Sequence, residues 1–327
     1  MHSPSEPYTH RRGVVYMKTL GHYLVRDGER EITCAISPRL RKKLIYPTAD
    51  PSSLRPVARG VAEIDEVDPV AIGDQVGYLD TLDGAGLIIE VLPRRNRLAR
   101  RAAGSKPLEQ VIVANLDYVV PVFAAAQPTP KWNLLDRYLA SAESLGLDSL
   151  VCITKIDLSH NGWDLQAEVE TYRQAGYKVV LTSVETGEGI GELRFTLQGK
   201  AAVLVGKSGV GKTSLLNALQ PNLGLRVKQI SQATGKGRHT TSNLAMFSLD
   251  TGGYVVDTPG MREFGLWQVE EIDLAQLFPE MRIYLGRCRF GMDCRHDREP
   301  GCAIREAVQR GEISLRRYKS MLKLSQE

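Results

Sequence analysis

The sequence predicts a multi-domain chain in three parts: a small closed β-barrel, a parallel α/β domain with helices over its sheet, and a short helical tail stapled by a metal. Three observations predict it. Short segments rich in β-branched and aromatic residues, with no helical period, fill residues 13–93. Strand-like apolar runs then alternate with amphipathic helical stretches from about Leu108 to residue 270. Last, Cys288, Cys294, His296 and Cys302 crowd into fifteen residues near the end. A chain of 327 residues, 43% apolar and 24% charged, is long enough for two or three such units with cores of their own.

Residues 1–12 are polar and read as a disordered tail. The barrel follows over 13–93, its segments VVYMK, HYLV, ITCAI, VARGVAEI, QVGYL and LIIEVL punctuated by turn signals at Asp27-Gly28, Gly73-Asp74 and Asp83-Gly84. About 80 residues of this kind fit an OB-type barrel, and an SH3-like barrel fits the same pattern. Residues 94–107 read as a basic linker carrying Arg94, Arg95, Arg97, Arg100 and Arg101, either simply solvated or contacting RNA phosphates. The α/β domain occupies 108–270, and a metal-binding unit with a terminal helix occupies 271–327. In that helix Leu315, Tyr318 and Leu322 share one face, while Arg316, Arg317, Lys319 and Lys323 make much of the rest basic. The formal net charge is only +4, so it is the local clusters that bear on partners. No run approaches the roughly 20 apolar residues that span a bilayer, and the opening residues lack a signal-peptide core, so a cytoplasmic protein without membrane contact is expected.

Within the α/β part, Gly206-Lys207-Ser208-Gly209-Val210-Gly211-Lys212-Thr213 fits the P-loop pattern, preceded by the strand-like AAVLV and followed by a helix that opens with Ser214. Its glycines permit backbone N–H groups to face phosphates, Lys212 reaches the β- and γ-phosphates, and Thr213 offers a hydroxyl to Mg²⁺. Asp257-Thr258-Pro259-Gly260 follows GYVV about 45 residues further on and suits a DxxG element, its aspartate on Mg²⁺ and the Gly260 amide near the γ-phosphate. Thr154-Lys155-Ile156-Asp157 follows LVCI and fits [NT]-K-x-D, in which the aspartate accepts from guanine N1 and N2 and the lysine stem lies over the base. Adenine lacks that donor pair, so GTP and GDP are the expected ligands. Thr154 stands where Asn is more usual, which alters one polar bridge toward the P-loop. Thr182-Ser183, after KVVL, supplies the remaining base-contacting loop.

Three cysteines and one histidine within fifteen residues suit a closed, tetrahedral, structural Zn²⁺ site. Few large apolar residues precede the final helix of this unit, so zinc is expected to supply much of its folding energy. Cys34 and Cys152 lie alone in β-like runs and read as inert core thiols.

The motif order is permuted: the base-reading TKxD comes first, then the TS loop, the P-loop, a Thr-rich segment and DxxG. With a barrel before it and a Cys/His cluster after it, this arrangement resembles the RsgA (YjeQ/YloQ) family of circularly permuted GTPases acting on the bacterial small ribosomal subunit, over nearly the whole chain after residue 13. Gly235-Lys236-Gly237-Arg238-His239-Thr240-Thr241 is similar to the family's switch I and Asp257 to Phe264 to its switch II. The resemblance implies Mg²⁺ contacts from Thr240 or Thr241 and a catalytic role for His239. It implies a monomer that binds the 30S subunit and its rRNA, with the Arg-rich stretch, Arg316 and Arg317 as RNA contacts. It also implies hydrolysis stimulated by the subunit and coupled to release, against the alternative of a GTP-gated RNA-binding module with negligible turnover. One departure is the five-residue spacer between Cys288 and Cys294, where four are expected.

Overall fold

The computed structural model describes residues 9–19, 21–42, 44–45, 60–61, 68–81, 84–101, 109–159, 162–223, 245–258 and 273–325. They form two units: residues up to Leu116 with 245–247, and Asp117 to 223 with 248–325.

In the first unit, β1 (Thr9–Thr19), β2 (His22–Asp27) and β3 (Arg30–Ile36) form an antiparallel meander. A short helix α1 (Pro38–Lys42) and a two-residue pair, β4 (Leu44–Ile45) with β5 (Gly60–Val61), come next. The barrel resumes with β6 (Gln75–Asp80) and β7 (Ala85–Val91). β7 runs parallel to β3 and antiparallel to β6, and β6 returns antiparallel to β1, so the five long strands close in the order β1-β2-β3-β7-β6-β1. That Greek-key closure is the OB-type topology and decides against the SH3-like alternative. A register shift between Val15 and Met17 lets β1 turn from one neighbour to the other.

Alternation along the strands sends Tyr23, Val25, Ile32, Cys34, Ile36, Val76, Tyr78 and Ile88 inward as one core. Gly86 is required there, because a Cβ would stand 2.6 Å from Cys34 Sγ and 3.1 Å from the Tyr78 ring. Two expectations about boundaries need correction. β1 already starts at Thr9, inside the expected tail, because Thr9 to Val14 pair with β6. The Arg-rich stretch is not merely a linker either: β8 (Arg97–Arg101) pairs antiparallel with β9 (Glu109–Ala114), since Leu98 and Ala99 find a buried side among otherwise basic residues.

The second unit carries five parallel strands: β10 (Tyr118–Ala124), β11 (Leu150–Thr154), β12 (Lys178–Leu181), β13 (Lys200–Val205) and, beyond the short β14 (Ala245–Ser248), β15 (Gly253–Asp257). Their order is β12-β11-β10-β13-β15. Such strands are covered on both faces, which explains runs as uniformly apolar as the wholly buried LVCIT of β11. Helices α2 (Trp132–Ser144), α3 (Gly162–Gln174), α4 (Ile190–Thr196) and α5 (Lys212–Leu219) alternate with them. α2 buries Leu135, Tyr138 and Leu139, with Tyr138 edge-on to Phe123 of β10 at 5.8 Å between ring centroids.

The tail adds α6 (Pro279–Arg282), α7 (Ala303–Gln309) and α8 (Leu315–Leu324). It is richer in core than its composition suggested: Phe278, Met281, Ile304, Ile313 and Met321 pack together, with Ala140 of α2 among them. Of the apolar face read on α8, Tyr318 is buried and Leu322 packs against the same core, but the inward side is wider than that face. Its buried residues are Arg317, Tyr318, Ser320 and Met321, and Leu315 is 53% exposed. The reason is an ion-pair network. Asp136, fully buried on α2, accepts from Arg316 Nη1 (2.6 Å), Arg317 Nη1 (2.8 Å) and the Tyr172 hydroxyl (2.9 Å), and Glu280 clasps the other side of Arg317 through Nε (2.5 Å) and Nη2 (2.9 Å). Among the described residues no helix is long and apolar enough to cross a membrane.

Candidate functional site

The loops that follow β11, β13 and β15 all leave the carboxyl edge of the parallel sheet, which is where such sheets bind ligands. The sheet places the P-loop strand β13 beside the DxxG strand β15 on one side and β10 on the other, with the TKxD strand β11 next beyond. Sequence order is permuted, but the motifs remain spatial neighbours.

Positive φ occurs at Gly206, Gly209 and Gly211, and a Cβ at Gly206 would meet the Val122 carbonyl oxygen at 2.4 Å. α5 begins at Lys212 immediately after this turn, which aims its free N–H groups into the loop. Lys212 Nζ folds back over the loop, donating to the carbonyls of Gly206 (2.6 Å) and Lys207 (3.2 Å). Burial holds Lys212 below its ordinary pKa against the pull of Asp257. Burial likewise raises Asp257, against Lys212 and a backbone hydrogen bond from Thr258. Asp257 is 3% exposed, and its Oδ1 is buried without a hydrogen-bond partner. An orphaned hard oxygen at a strand end, within electrostatic reach of Lys212 at the start of α5, fits Mg²⁺. Thr258 Oγ1 ties the strand end to the Leu204 carbonyl at 2.8 Å.

At the base-reading end Thr154 Oγ1 donates to the Val210 carbonyl at 2.5 Å. The bridge to the P-loop that the Asn-to-Thr change put in question is therefore made by the threonine hydroxyl. Lys155, at φ +56°, donates from Nζ to the Gly209 carbonyl (2.7 Å) and to Gln127, so its stem crosses the mouth of the loop. Ser183 donates to Asp157 Oδ1 at 2.5 Å, so the TKxD and TS loops converge on one carboxylate. Thr182 and Ser183 are fully buried, and Thr182 is held by its N–H to the Ile153 carbonyl at 2.7 Å. Ile156, between Lys155 and Asp157, donates its N–H to the Thr182 carbonyl at 3.4 Å. Ser208 is exposed at the loop crest, and Ser214 is partly buried in the first turn of α5.

The four metal-ligand candidates are all buried, with ligand atoms within 4.8 Å of one another. His296 Nδ1 lies 3.5 Å from Cys288 Sγ and 3.4 Å from Cys302 Sγ, and those two sulfurs are 3.9 Å apart. A zinc tetrahedron with bonds of about 2.3 Å to sulfur requires sulfur atoms about 3.8 Å apart, so the cage fits Zn²⁺. The five-residue first spacer holds a 3₁₀ turn over Gly291–Asp293, entered with Gly291 at positive φ. Tyr318 of α8 donates to the His296 carbonyl at 2.6 Å, seating the terminal helix on the cage.

His239, Thr240, Thr241 and Gly260 lie outside the described residues. Two RNA-contact expectations require correction. Arg94 donates from Nε to Asp74 Oδ1 (2.8 Å) and from Nη2 to Asp74 Oδ2 (2.9 Å) and the Pro69 carbonyl (2.9 Å), and Arg317 is 1% exposed between Asp136 and Glu280. Both guanidinia serve internal pairs because buried carboxylates face them. Arg95 and Arg97 remain exposed, Arg316 is part-buried, and Arg100 and Arg101 lie on β8. Sequence reasoning missed Asp136, Glu280 and Asp273. Asp273 lies 3.1 Å from His296 Nε2 through Oδ2 and caps the turn Leu274–Leu277 by accepting from Ala275 N–H at 3.0 Å. Its only local signal was an acidic residue before a short apolar stretch, an N-cap pattern.

Residues 91–267 match the family model described as RsgA GTPase. A curated relative from Gemmatimonas aurantiaca, named small ribosomal subunit biogenesis GTPase RsgA, is 43% identical over 279 residues, covering 84% of this chain and 87% of its own length. The Pseudomonas aeruginosa protein of the same name is 44% identical over 250 residues, covering 76% and 73%. Among solved structures, YjeQ from Thermotoga maritima superposes with a TM-score of 0.72 at 32% identity, with 97% of each chain covered. YloQ, titled a circularly permuted GTPase, gives 0.69 at 30% identity, covering 97% of this chain and 95% of its own. By sequence and by fold, the chain belongs to the RsgA GTPase family.

Proposed function

We propose that this protein hydrolyses GTP to GDP and phosphate as a monomer in the cytoplasm, bound to the small ribosomal subunit and its rRNA during late maturation, with hydrolysis stimulated by the subunit and coupled to release. The observation that carries the enzymatic part is the convergence of Asp157, the 206–213 loop and Asp257 at one sheet edge. Asp157 accepts from the guanine N1–H and N2–H groups, and the Ser183 hydroxyl fixes its orientation. The P-loop amides and Lys212 hold the β- and γ-phosphates. Thr213 and Asp257, joined by Thr240 or Thr241, would hold Mg²⁺, which screens phosphate charge when bound. Met261 follows the DxxG glycine, and a thioether cannot orient water as an amide does, so His239 takes that role in this reading. The names of the relatives support the ribosomal partner, and exposed Arg95 and Arg97 suit contacts to RNA phosphate.

The test is phosphate release from GTP and from ATP, with and without purified small subunits. GTP-selective release that rises on adding subunits is expected, and Lys212→Ala should abolish it. Binding without any turnover, subunits included, would leave a GTP-gated binding module. Equal use of ATP would refute the base-reading assignment.

A further inference from the structure

The zinc ligand His296 is held by a carboxylate that sits where the chain first enters the metal unit. Asp273 divides its two oxygens. Oδ1 accepts from the Ala275 N–H and caps the turn Leu274–Leu277, while Oδ2 lies 3.1 Å from His296 Nε2. The other ring nitrogen, Nδ1, faces the sulfurs of Cys288 and Cys302 at 3.5 and 3.4 Å. His296 has left-handed backbone, φ +62°, and its side chain is 2% exposed, so it has little freedom to choose another partner. An imidazole that gives Nδ1 to a metal carries its proton on Nε2, and a carboxylate at that nitrogen fixes the tautomer, aims the ring and raises the basicity of the ligating atom.

We infer that Asp273 is the positioning residue of the metal site, selecting the Nδ1-ligating tautomer of His296 and binding the entry of the chain to the cage. The inference rests on the zinc reading of the Cys288, Cys294, His296 and Cys302 cluster. Only residues 259–272 separate Thr258, next to the DxxG aspartate, from Asp273. The residue that holds a metal ligand thus follows the DxxG aspartate by only sixteen positions in the chain.

Because Ser also caps helices, Asp273→Ser keeps the turn but removes the contact to the imidazole, which separates the two roles. Zinc affinity of the full chain, read by chelator competition, should fall about 10- to 100-fold in Asp273→Ser, with Asp273→Asn intermediate. With cobalt(II) alone as probe, the visible bands of the tetrahedral complex should shift and weaken in Asp273→Ser. The discriminating measurement repeats the substitution in a His296→Cys background, where no imidazole needs orienting: there Asp273→Ser should change affinity by less than about threefold. Equal losses in both backgrounds would mean that Asp273 acts only through folding and would overturn the inference. Wild-type zinc affinity in Asp273→Ser would overturn it directly. A wild-type protein that binds no stoichiometric zinc would instead remove the metal assignment on which it stands.

Discussion

Removing the carboxylate of Asp136 is expected to loosen the terminal helix α8 from the nucleotide-binding unit. Asp136 is fully buried and accepts from Arg316, Arg317 and Tyr172 at 2.6, 2.8 and 2.9 Å. Burial first, and the Asp136 charge second, hold the Tyr172 phenol well above its ordinary pKa, so it remains a donor throughout the working range. In Asp136→Ala, Arg317, itself 1% exposed, keeps only Glu280 as a counter-charge, and Arg316 keeps Glu168 at 2.8 Å. Breaking a buried pair by deleting one partner costs about 3–5 kcal/mol. Glu280 and Glu168 still offset part of the stranded charge, which places the expected cost at the lower end, about 3 kcal/mol or roughly a hundredfold in the local opening equilibrium. Amide hydrogen exchange of residues 315–324 reads that opening directly, and urea denaturation of the zinc-loaded protein reads the global effect. Asp136→Asn, which retains an acceptor but no charge, should fall between alanine and wild type. A loss below about 1 kcal/mol in Asp136→Ala, with α8 protection unchanged, would show that the network is neutral to stability, as some buried ion pairs are when replaced.

Asp157→Asn should weaken GTP binding and favour xanthosine triphosphate, whose extra carbonyl can accept from the new amide; a variant that still prefers GTP in competition binding would remove Asp157 from base reading. His239→Ala should keep GTP affinity and subunit binding yet lose most subunit-stimulated hydrolysis, because it removes a contact made only in the transition state. Stimulated turnover within about twofold of wild type would leave the subunit as the source of the missing group. Burial pushes the thiols of Cys34 and Cys152 up to about 12, so at pH 8, far below that value, both should resist Ellman's reagent in the native protein. A strong chelator should release three reactive thiols, from Cys288, Cys294 and Cys302, and fast modification of Cys34 or Cys152 before denaturation would refute their burial.

The P-loop, TKxD and DxxG motifs and the Cys/His cluster were legible in the sequence because each is a short stretch whose chemistry demands particular residue types at fixed spacing. Gly206, Gly209 and Gly211 all take positive φ, a local demand that glycine meets without strain and that leaves its mark in the motif itself. The barrel was legible as a count of strands but not as a topology. Only the parallel pairing of β7 with β3 and the return of β6 to β1 distinguish its closure from another small barrel, and pairing across that many residues leaves no local trace.

The basic residues show the limit most plainly. Arg94, Arg95, Arg316 and Arg317 look alike in sequence, each in a run of positive charge. The fold pairs half-buried Arg94 with Asp74, buries Arg317 against Asp136, a partner 181 residues away, and leaves Arg95 exposed. Asp273 showed only its capping role locally, since its contact to the metal cage depends on His296 arriving 23 residues later at hydrogen-bond distance. The sequence by itself determined which chemistry this protein carries, because phosphate, guanine and zinc each require specific donors in short order. Tertiary structure alone decided which charges meet solvent and which are spent inside, because a charge can be buried only where the folded chain brings its counter-charge to it.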